Sequence, residues 1–251
     1  MGNRISHPPP LTADTALFLD FDGTLVDIAR TPEDIRVAED LGHLLGSVSD
    51  ALHGALAVIS GRPIDAVDRF LGGAVRAVAG VHGATRRDAR GMTHGAPADA
   101  TALKDYRPIL ESFAHHHTGI LLEDKTISIA VHFREAPELA EESRQIVADC
   151  AAASQGRLEF LEGKMVAELK PARITKAGAL SAYMNEAPFQ GRRPVFAGDD
   201  ITDEAGFSAV AKVGGYGVIV GERTPTAATA RLASVADLHQ WLKVFCAAGA
   251  A

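Results

Sequence analysis

Four short apolar runs, Leu17–Leu19, Ala55–Ile59, Val75–Ala79 and Val195–Ala197, each stop at a polar turn that contains glycine. The turns are Asp20-Phe21-Asp22-Gly23-Thr24, Ser60-Gly61-Arg62-Pro63, Gly80-Val81-His82-Gly83 and Gly198-Asp199-Asp200. Apolar runs this short, bounded by turn residues, read as strands buried on both faces, the pattern of a parallel sheet. Helical patterns separate them: Leu41, Leu44, Leu45, Val48 and Leu52 after the first, then Ile64, Val67, Phe70 and Leu71 after the second. The alternation predicts an α/β fold, a parallel sheet flanked by helices. Ligands of such sheets sit beyond the carboxyl ends of the strands, so chemistry is expected at the polar turns.

The remaining segments divide the chain. A cap, a proline and early acids at Thr31-Pro32-Glu33-Asp34 predict a helix start. Arg86–Gly95 is polar and glycine-punctuated, as in a short hairpin or a loop leaving the core. From about Pro97 the order becomes helix, strand, strand, helix, strand, strand. These segments are Leu103–Phe113, Ile120–Lys125, Ile127–Arg134, Pro137–Ala153, Arg157–Glu162 and Met165–Lys170, the last two joined at Gly163-Lys164. They predict an α+β unit with an antiparallel sheet, inserted between halves of the parallel domain. A helix over Thr175–Met184, a helix containing Phe207 and Val210, and a strand over Tyr216–Val220 resume the first pattern. Ala227–Leu232 and Val235–Phe245 read as terminal helices, with Trp241 and Phe245 as a core anchor. The expected partition is a core over 1–96 and 172–251 and an inserted unit over 97–171.

A hydrophobic content of 47% is that of an ordinary globular protein. A net charge of −7 and the lack of a long basic run argue against nucleic-acid binding. Cys150 and Cys246 are too few for a disulfide framework or a thiolate zinc site, and read as buried small hydrophobes. No run approaches the ~18 apolar residues needed to span a bilayer. The N-terminal segment with Pro8-Pro9-Pro10 lacks the apolar centre of a signal peptide and reads as a frayed leader. A cytoplasmic protein that does not engage membranes is expected, with its oligomeric state open.

Residues two apart on a strand point the same way, so Asp20 and Asp22 are expected to project together. Gly23 lets the backbone turn, and the Thr24 hydroxyl is expected to hold that turn. Asp199 and Asp200 would add carboxylates to one crevice, where like charges resist joint ionisation. A divalent cation resolves the conflict, and a donor set without His or Cys points to a hard ion such as Mg²⁺. The acidic run Asp199–Glu204 also suits a helix N-terminus. Ser60 reads either as a helix cap or, with free amides, as part of a phosphate site. Lys176 reads either as a solvated lysine or as a cation that neutralises a transferring phosphoryl group. His115-His116-His117 point in different directions along a helix and cannot converge on one ion.

In this order, Asp20-Phe21-Asp22-Gly23-Thr24, Ser60-Gly61-Arg62, Lys176 and Gly198-Asp199-Asp200-Ile201-Thr202-Asp203 resemble the four motifs of the haloacid-dehalogenase superfamily of phosphohydrolases. The resemblance implies a Rossmann-like core with an inserted α+β cap domain. It implies Asp20 as the nucleophile that forms an aspartyl-phosphate, and Asp22 as the acid for the leaving alcohol, then the base for water. Ser60 and Lys176 would hold the phosphoryl oxygens. Asp20, the main-chain carbonyl of Asp22 and Asp199 would bind Mg²⁺, with Thr24 and Arg62 in support and Asp200 or Asp203 orienting Lys176. The first step needs Asp22 protonated while Asp20 stays ionised.

In the insert, Ser128, Ala130, His132 and Arg134 share one strand face, and Glu123 with Lys125 and Glu168 with Lys170 pair on the neighbouring strands. Such a face is expected to be open to solvent. Over a phosphate-ester site it could bind sugar hydroxyls and exclude water on closing. Gly80-Val81-His82-Gly83, Leu122-Glu123-Asp124-Lys125, Val131-His132-Phe133-Arg134 and Val166-Ala167-Glu168-Leu169-Lys170-Pro171 resemble the trehalose-6-phosphate phosphatases, as does the run Glu186–Glu204. That resemblance covers Leu17 to Leu242 and implies that Glu123, Lys125 and Glu168 grip the sugar, with His82, His132, Arg134 and Lys170 completing the expected substrate-binding set and a sugar phosphate as substrate. Thr85, Ala177 and Phe133 depart from the family pattern, and no expected catalytic position is lost. A phosphatase for another sugar or polyol phosphate, or a non-catalytic sugar-phosphate sensor, are the alternatives.

Overall fold

Thr15-Ala16-Leu17-Phe18-Leu19 forms strand β1 (Thr15–Leu19), buried along its whole length. The computed structural model describes residues 6–249 apart from 30, 32–33, 96–99, 126–127 and 173. The chain continues through α1 (Leu41–Ala51), β2 (Leu56–Ile59), α2 (Ile64–Leu71), β3 (Ala77–Gly80), β4 (Thr85–Arg87) and β5 (Thr93–Gly95). The helix expected from Thr31 begins instead at Leu41, and residues 32 and 33 lie outside the described set. Ile35 and Val37 pack against the core two residues apart, the spacing of extended chain, and this outweighs the capping signal. Arg86–Gly95 does not leave the core. β4 pairs antiparallel with β3, and β5 is the edge strand of the same sheet. Asp88 holds the connection by accepting the amides of Arg90 and Met92, each at 2.9 Å.

A second compact unit spans Gly95–Ile174. It contains α3 (Ala100–His116), β6 (Leu121–Asp124), β7 (Ile129–His132), α4 (Ala140–Ala153), β8 (Leu158–Gly163) and β9 (Val166–Pro171). Its four strands form an antiparallel sheet in the order β6-β7-β9-β8. Leu103, Leu110, Phe133, Val147 and Leu169 fill its own core. The turn between β8 and β9 falls at Lys164-Met165, one residue beyond the expected place.

The chain then returns to the first unit with α5 (Lys176–Met184), β10 (Arg193–Gly198), α6 (Glu204–Lys212), β11 (Tyr216–Val220), β12 (Ala230–Leu232) and α7 (Val235–Gly249). Ala230–Leu232 is therefore a strand, where a helix over Ala227–Leu232 was expected. It runs parallel to β11 with alternating burial, so sheet pairing prevails over an alanine-rich helical composition. Ser6 bridges Ala230, and the Trp241 indole donates to the Pro9 carbonyl at 3.0 Å. The described part of the expected leader is thus tied to the fold, while residues 1–5 lie outside the described set.

The sheet of this unit has the order β12-β11-β10-β1-β2-β3-β4-β5, parallel from β12 to β3. Connections run outward from β1 on both sides, which makes the carboxyl ends of β1 and β10 the switch point of the sheet. Phe18 packs against Phe189 and Tyr183, with ring centroids 5.4 and 6.1 Å apart. Burial of each such side chain contributes about 1.5–3 kcal/mol, so the strand ends rest on a rigid platform. Trp241 and Phe245 are buried, and both cysteines are free. Among the described residues no helix is long and apolar enough to cross a membrane.

Candidate active site

β1 ends at Leu19 and the chain turns at once, and among the described pairings Asp20 and Asp22 meet different cations. Asp20 is buried and accepts from Lys176 Nζ at 2.7 Å. Asp22 meets the Arg62 guanidinium as a fork, Nε to Oδ2 at 2.7 Å and Nη2 to Oδ1 at 2.8 Å. The same guanidinium lies over the rings of Phe21 and Phe70, 5.7 and 5.2 Å from their centroids. A planar cation stacked in this way is held in one orientation.

Lys176 is no surface lysine. Thr175 caps α5 by accepting the Gly178 amide at 3.1 Å, which fixes Lys176 in the first turn. Its ammonium sits between Asp20 Oδ1 and Asp203 Oδ1, each at 2.7 Å, and is 4% exposed. Burial opposes the charge, but the two carboxylates outweigh it and push the ammonium pKa up. Asp203, rather than Asp200, is thus the partner of Lys176. Asp203 Oδ2 also accepts the amides of Asp199 and Asp200, both at 3.0 Å. Asp200 instead caps the short helical turn Ile201–Asp203 by accepting the Ile201 amide at 2.7 Å. The acidic run is therefore both a helix start and part of a carboxylate cluster.

Asp20, Asp199 and Asp203 each offer an oxygen, and these atoms lie within 4.8 Å of one another. Two of them, Asp20 and Asp203, bond the Lys176 ammonium, and Asp199 stands beside that pair. Burial pushes Asp20 up to about 7 against the pull of Lys176, with Asp203 adding to the rise. Burial, then the charges of Asp20 and Asp203, push Asp199 up to about 9. An all-oxygen donor set with excess negative charge fits a hard divalent cation. The Thr24 hydroxyl, expected to hold the turn, lies 3.5 Å from both Asp20 Oδ2 and Asp199 Oδ1. Gly23 has φ +81°, and a Cβ there would lie 2.1 Å from Asp199 Oδ2. Close approach of the β1 loop to the end of β10 therefore requires glycine.

Ser60 is fully buried at the end of β2, and its hydroxyl accepts the Arg62 amide at 3.0 Å. That bond closes a local turn ahead of Pro63; α2 itself has no side-chain cap, so Ser60 is not its N-cap. Val81 and His82 follow β3 with φ of 49° and 57°, a strained conformation for two non-glycine residues, one of them β-branched. The His82 amide donates to the Ser60 carbonyl at 2.8 Å, and a Cβ on Gly61 would lie 2.9 Å from the His82 ring. The turns after β2 and β3 are locked together by this contact. In the sequence, only the glycine hinted at it.

Within the second unit, Lys125 Nζ lies 3.1 Å from Glu168 and 3.9 Å from Glu123, and His132 Nε2 lies 2.9 Å from Glu123. The fold gathers these four of the expected sugar-binding residues. Lys170 instead meets Glu159 and the Ile174 carbonyl, and Arg134 donates to the Lys164 carbonyl at 3.3 Å. The face is less open than expected, since Glu168 and Lys170 are 4% and 3% exposed. Mutual pairing makes such burial tolerable. Burial disfavours the Glu123 carboxylate, but His132 and Lys125 prevail and hold it below its ordinary range. His116 and His117 bond the Ser112 and Phe113 carbonyls and share no ion site.

A mostly parallel sheet interrupted by an inserted antiparallel unit is the fold of haloacid-dehalogenase-like hydrolases. A hydrolase so described from Bacteroides thetaiotaomicron superposes with a TM-score of 0.63 at 15% identity, over 91% of this chain and 98% of that one. The C-terminal domain of Candida albicans trehalose-6-phosphate phosphatase superposes with a TM-score of 0.83 at 19% identity, over 93% of each chain. Residues 18–236 match the trehalose-phosphatase family model. The chain is 37% identical to the trehalose-6-phosphate phosphatase of Escherichia coli (strain K12) over 248 residues, 99% of this chain and 92% of that protein. It therefore belongs to the trehalose-phosphatase family, a family of phosphoric monoester hydrolases.

Replacing Gly23 by alanine should push Asp199 out of place. The expected result is a loss of turnover of about 100-fold or more, with about 1–2 kcal/mol of stability lost to backbone strain. Steady-state kinetics with a denaturant titration checks both, and near-native turnover would contradict the proposed contact.

Proposed function

We propose that this chain hydrolyses trehalose 6-phosphate to trehalose and phosphate, with Mg²⁺ as cofactor and an aspartyl-phosphate on Asp20. The observation that carries the reading is the buried Lys176 ammonium bonded to Asp20, beside Asp199. Asp20, Asp199 and the main-chain carbonyl of Asp22 would hold Mg²⁺, which supplies charge neutralisation at the phosphoryl oxygens. Asp203, whose oxygens already take Lys176 and two amides, positions rather than ligates.

Asp20 attacks phosphorus, and the ester oxygen leaves with a proton from Asp22. Water, giving its proton to Asp22, then attacks phosphorus and frees Asp20 and phosphate. The Arg62 fork occupies both Asp22 oxygens, so proton transfer through Asp22 requires the pair to part. Lys176 and Ser60 take phosphoryl oxygens, with His82 bracing the Ser60 turn. The inserted unit, 97–171, serves as the cap. In it Glu123, Lys125, His132 and Glu168 take the sugar hydroxyls, while Lys170 and Arg134 brace the unit itself. Binding energy from the sugar then raises the rate as well as the affinity.

Phosphate release from trehalose 6-phosphate, sucrose 6-phosphate, glucose 6-phosphate and an aryl phosphate, with and without EDTA, tests this reading. Mg²⁺-dependent release favouring trehalose 6-phosphate is expected, and Asp20→Asn should abolish it. Preference for a different sugar phosphate would replace the substrate; silence on all of them from folded protein would favour a sensor. Glu123→Ala or Glu168→Ala should impair trehalose 6-phosphate turnover far more than aryl phosphate turnover, and equal losses would remove the sugar-binding role.

A further inference from the structure

We propose that Ala130 is a specificity-determining residue, the floor over which the charged sugar-binding side chains converge; this rests on reading Glu123, Lys125 and Glu168 as sugar ligands. Ala130 stands on β7 directly between Glu123 of β6 and Glu168 of β9 in the sheet register. Directly paired residues of adjacent strands point to the same face. The outer two strands are about 9–10 Å apart, twice the strand spacing. Even so, Lys125 Nζ comes within 3.1 Å of Glu168 Oε2 and 3.9 Å of Glu123 Oε2.

The cluster therefore closes across β7 over two small buried side chains of one face, Ser128, whose carbonyl accepts the Lys125 amide, and Ala130, which alone stands between the two glutamates. Ala130 is fully buried. One step along the same face, His132 leans to Glu123 at 2.9 Å, so the charged groups ring the methyl on three sides. A longer side chain at this position would stand between Glu123 and Glu168 and force Lys125 to abandon one of them. Sites that recognise hydroxyls by hydrogen bonds discriminate steeply, because a displaced partner leaves buried polar groups unpaired. Volume at position 130 thus sets whether the carboxylates and ammonium keep the spacing that a sugar ring must match.

The test compares Ala130→Val with Ala130→Gly. Valine suits a strand and adds only volume, whereas glycine leaves the space open. The measured quantity is the ratio of kcat/KM for trehalose 6-phosphate to kcat/KM for an aryl phosphate. Ala130→Val should lower the ratio about tenfold or more, and Ala130→Gly should keep the wild-type ratio. A wild-type ratio in Ala130→Val, or an equal fall in both variants, overturns the floor. Should Ala130→Val fail to fold, Ala130→Cys adds a smaller, weakly polar volume at the same place, again with a lowered ratio expected. Wild-type enzyme that prefers another sugar phosphate overturns the substrate reading alone, and the ratio is then taken with that sugar. Wild-type enzyme with no sugar preference overturns both.

Discussion

The site depends on one buried ammonium. Lys176 is the only cation bonded to Asp20 and Asp203 among the described pairings. It joins the end of β1, the start of α5 and the turn after β10. Removing one partner from a buried pair of this kind typically costs about 3–5 kcal/mol, because the charge left behind is uncompensated. The placement of Lys176 rests on an ordinary device, the Thr175 cap that starts its helix. Asp203 has a comparable double duty, one oxygen on Lys176 and the other on two backbone amides. The geometry of the carboxylate cluster and the capping of the helices around it thus rest on shared residues.

One cation among three carboxylates leaves the cluster too negative to be fully ionised, and this imbalance gives the site its character. Asp20 and Asp199 are both pushed above their ordinary range, first by burial. Asp22, one turn away, is balanced separately by the stacked Arg62. Two neighbouring carboxylates in one loop therefore meet different electrostatic surroundings. In the second unit Lys125 and His132 face two glutamates, Glu168 and Glu123.

Much of this was legible in the sequence because strand ends are marked by sharp changes in composition. The four polar turns and the inserted α+β unit follow from local period and order; period also put Glu123, Lys125, His132 and Glu168 on one polar face, but with Lys170 and Arg134, which bond elsewhere. Features that depend on packing between distant segments were not legible. Ile35 and Val37 find the core and draw out as extended chain a segment that carried a good helix start. Ala230–Leu232 becomes a strand only because β11 offers it an edge. The fork between Arg62 and Asp22, and the choice of Asp203 over Asp200 for Lys176, are decided by side-chain reach across loops that no spacing rule encodes.

The most direct test is calorimetric titration of the protein with Mg²⁺ at about pH 8, between the raised Asp20 and Asp199 values of about 7 and about 9. Two buffers of different ionisation enthalpy separate proton transfer from binding. A pKa raised in the free site and lowered by the bound ion means that binding expels protons. The predicted result is net proton release on Mg²⁺ binding, lost together with the binding itself in Asp199→Ala. Binding without proton release, or binding unchanged in Asp199→Ala, would contradict a carboxylate cluster built to hold the ion.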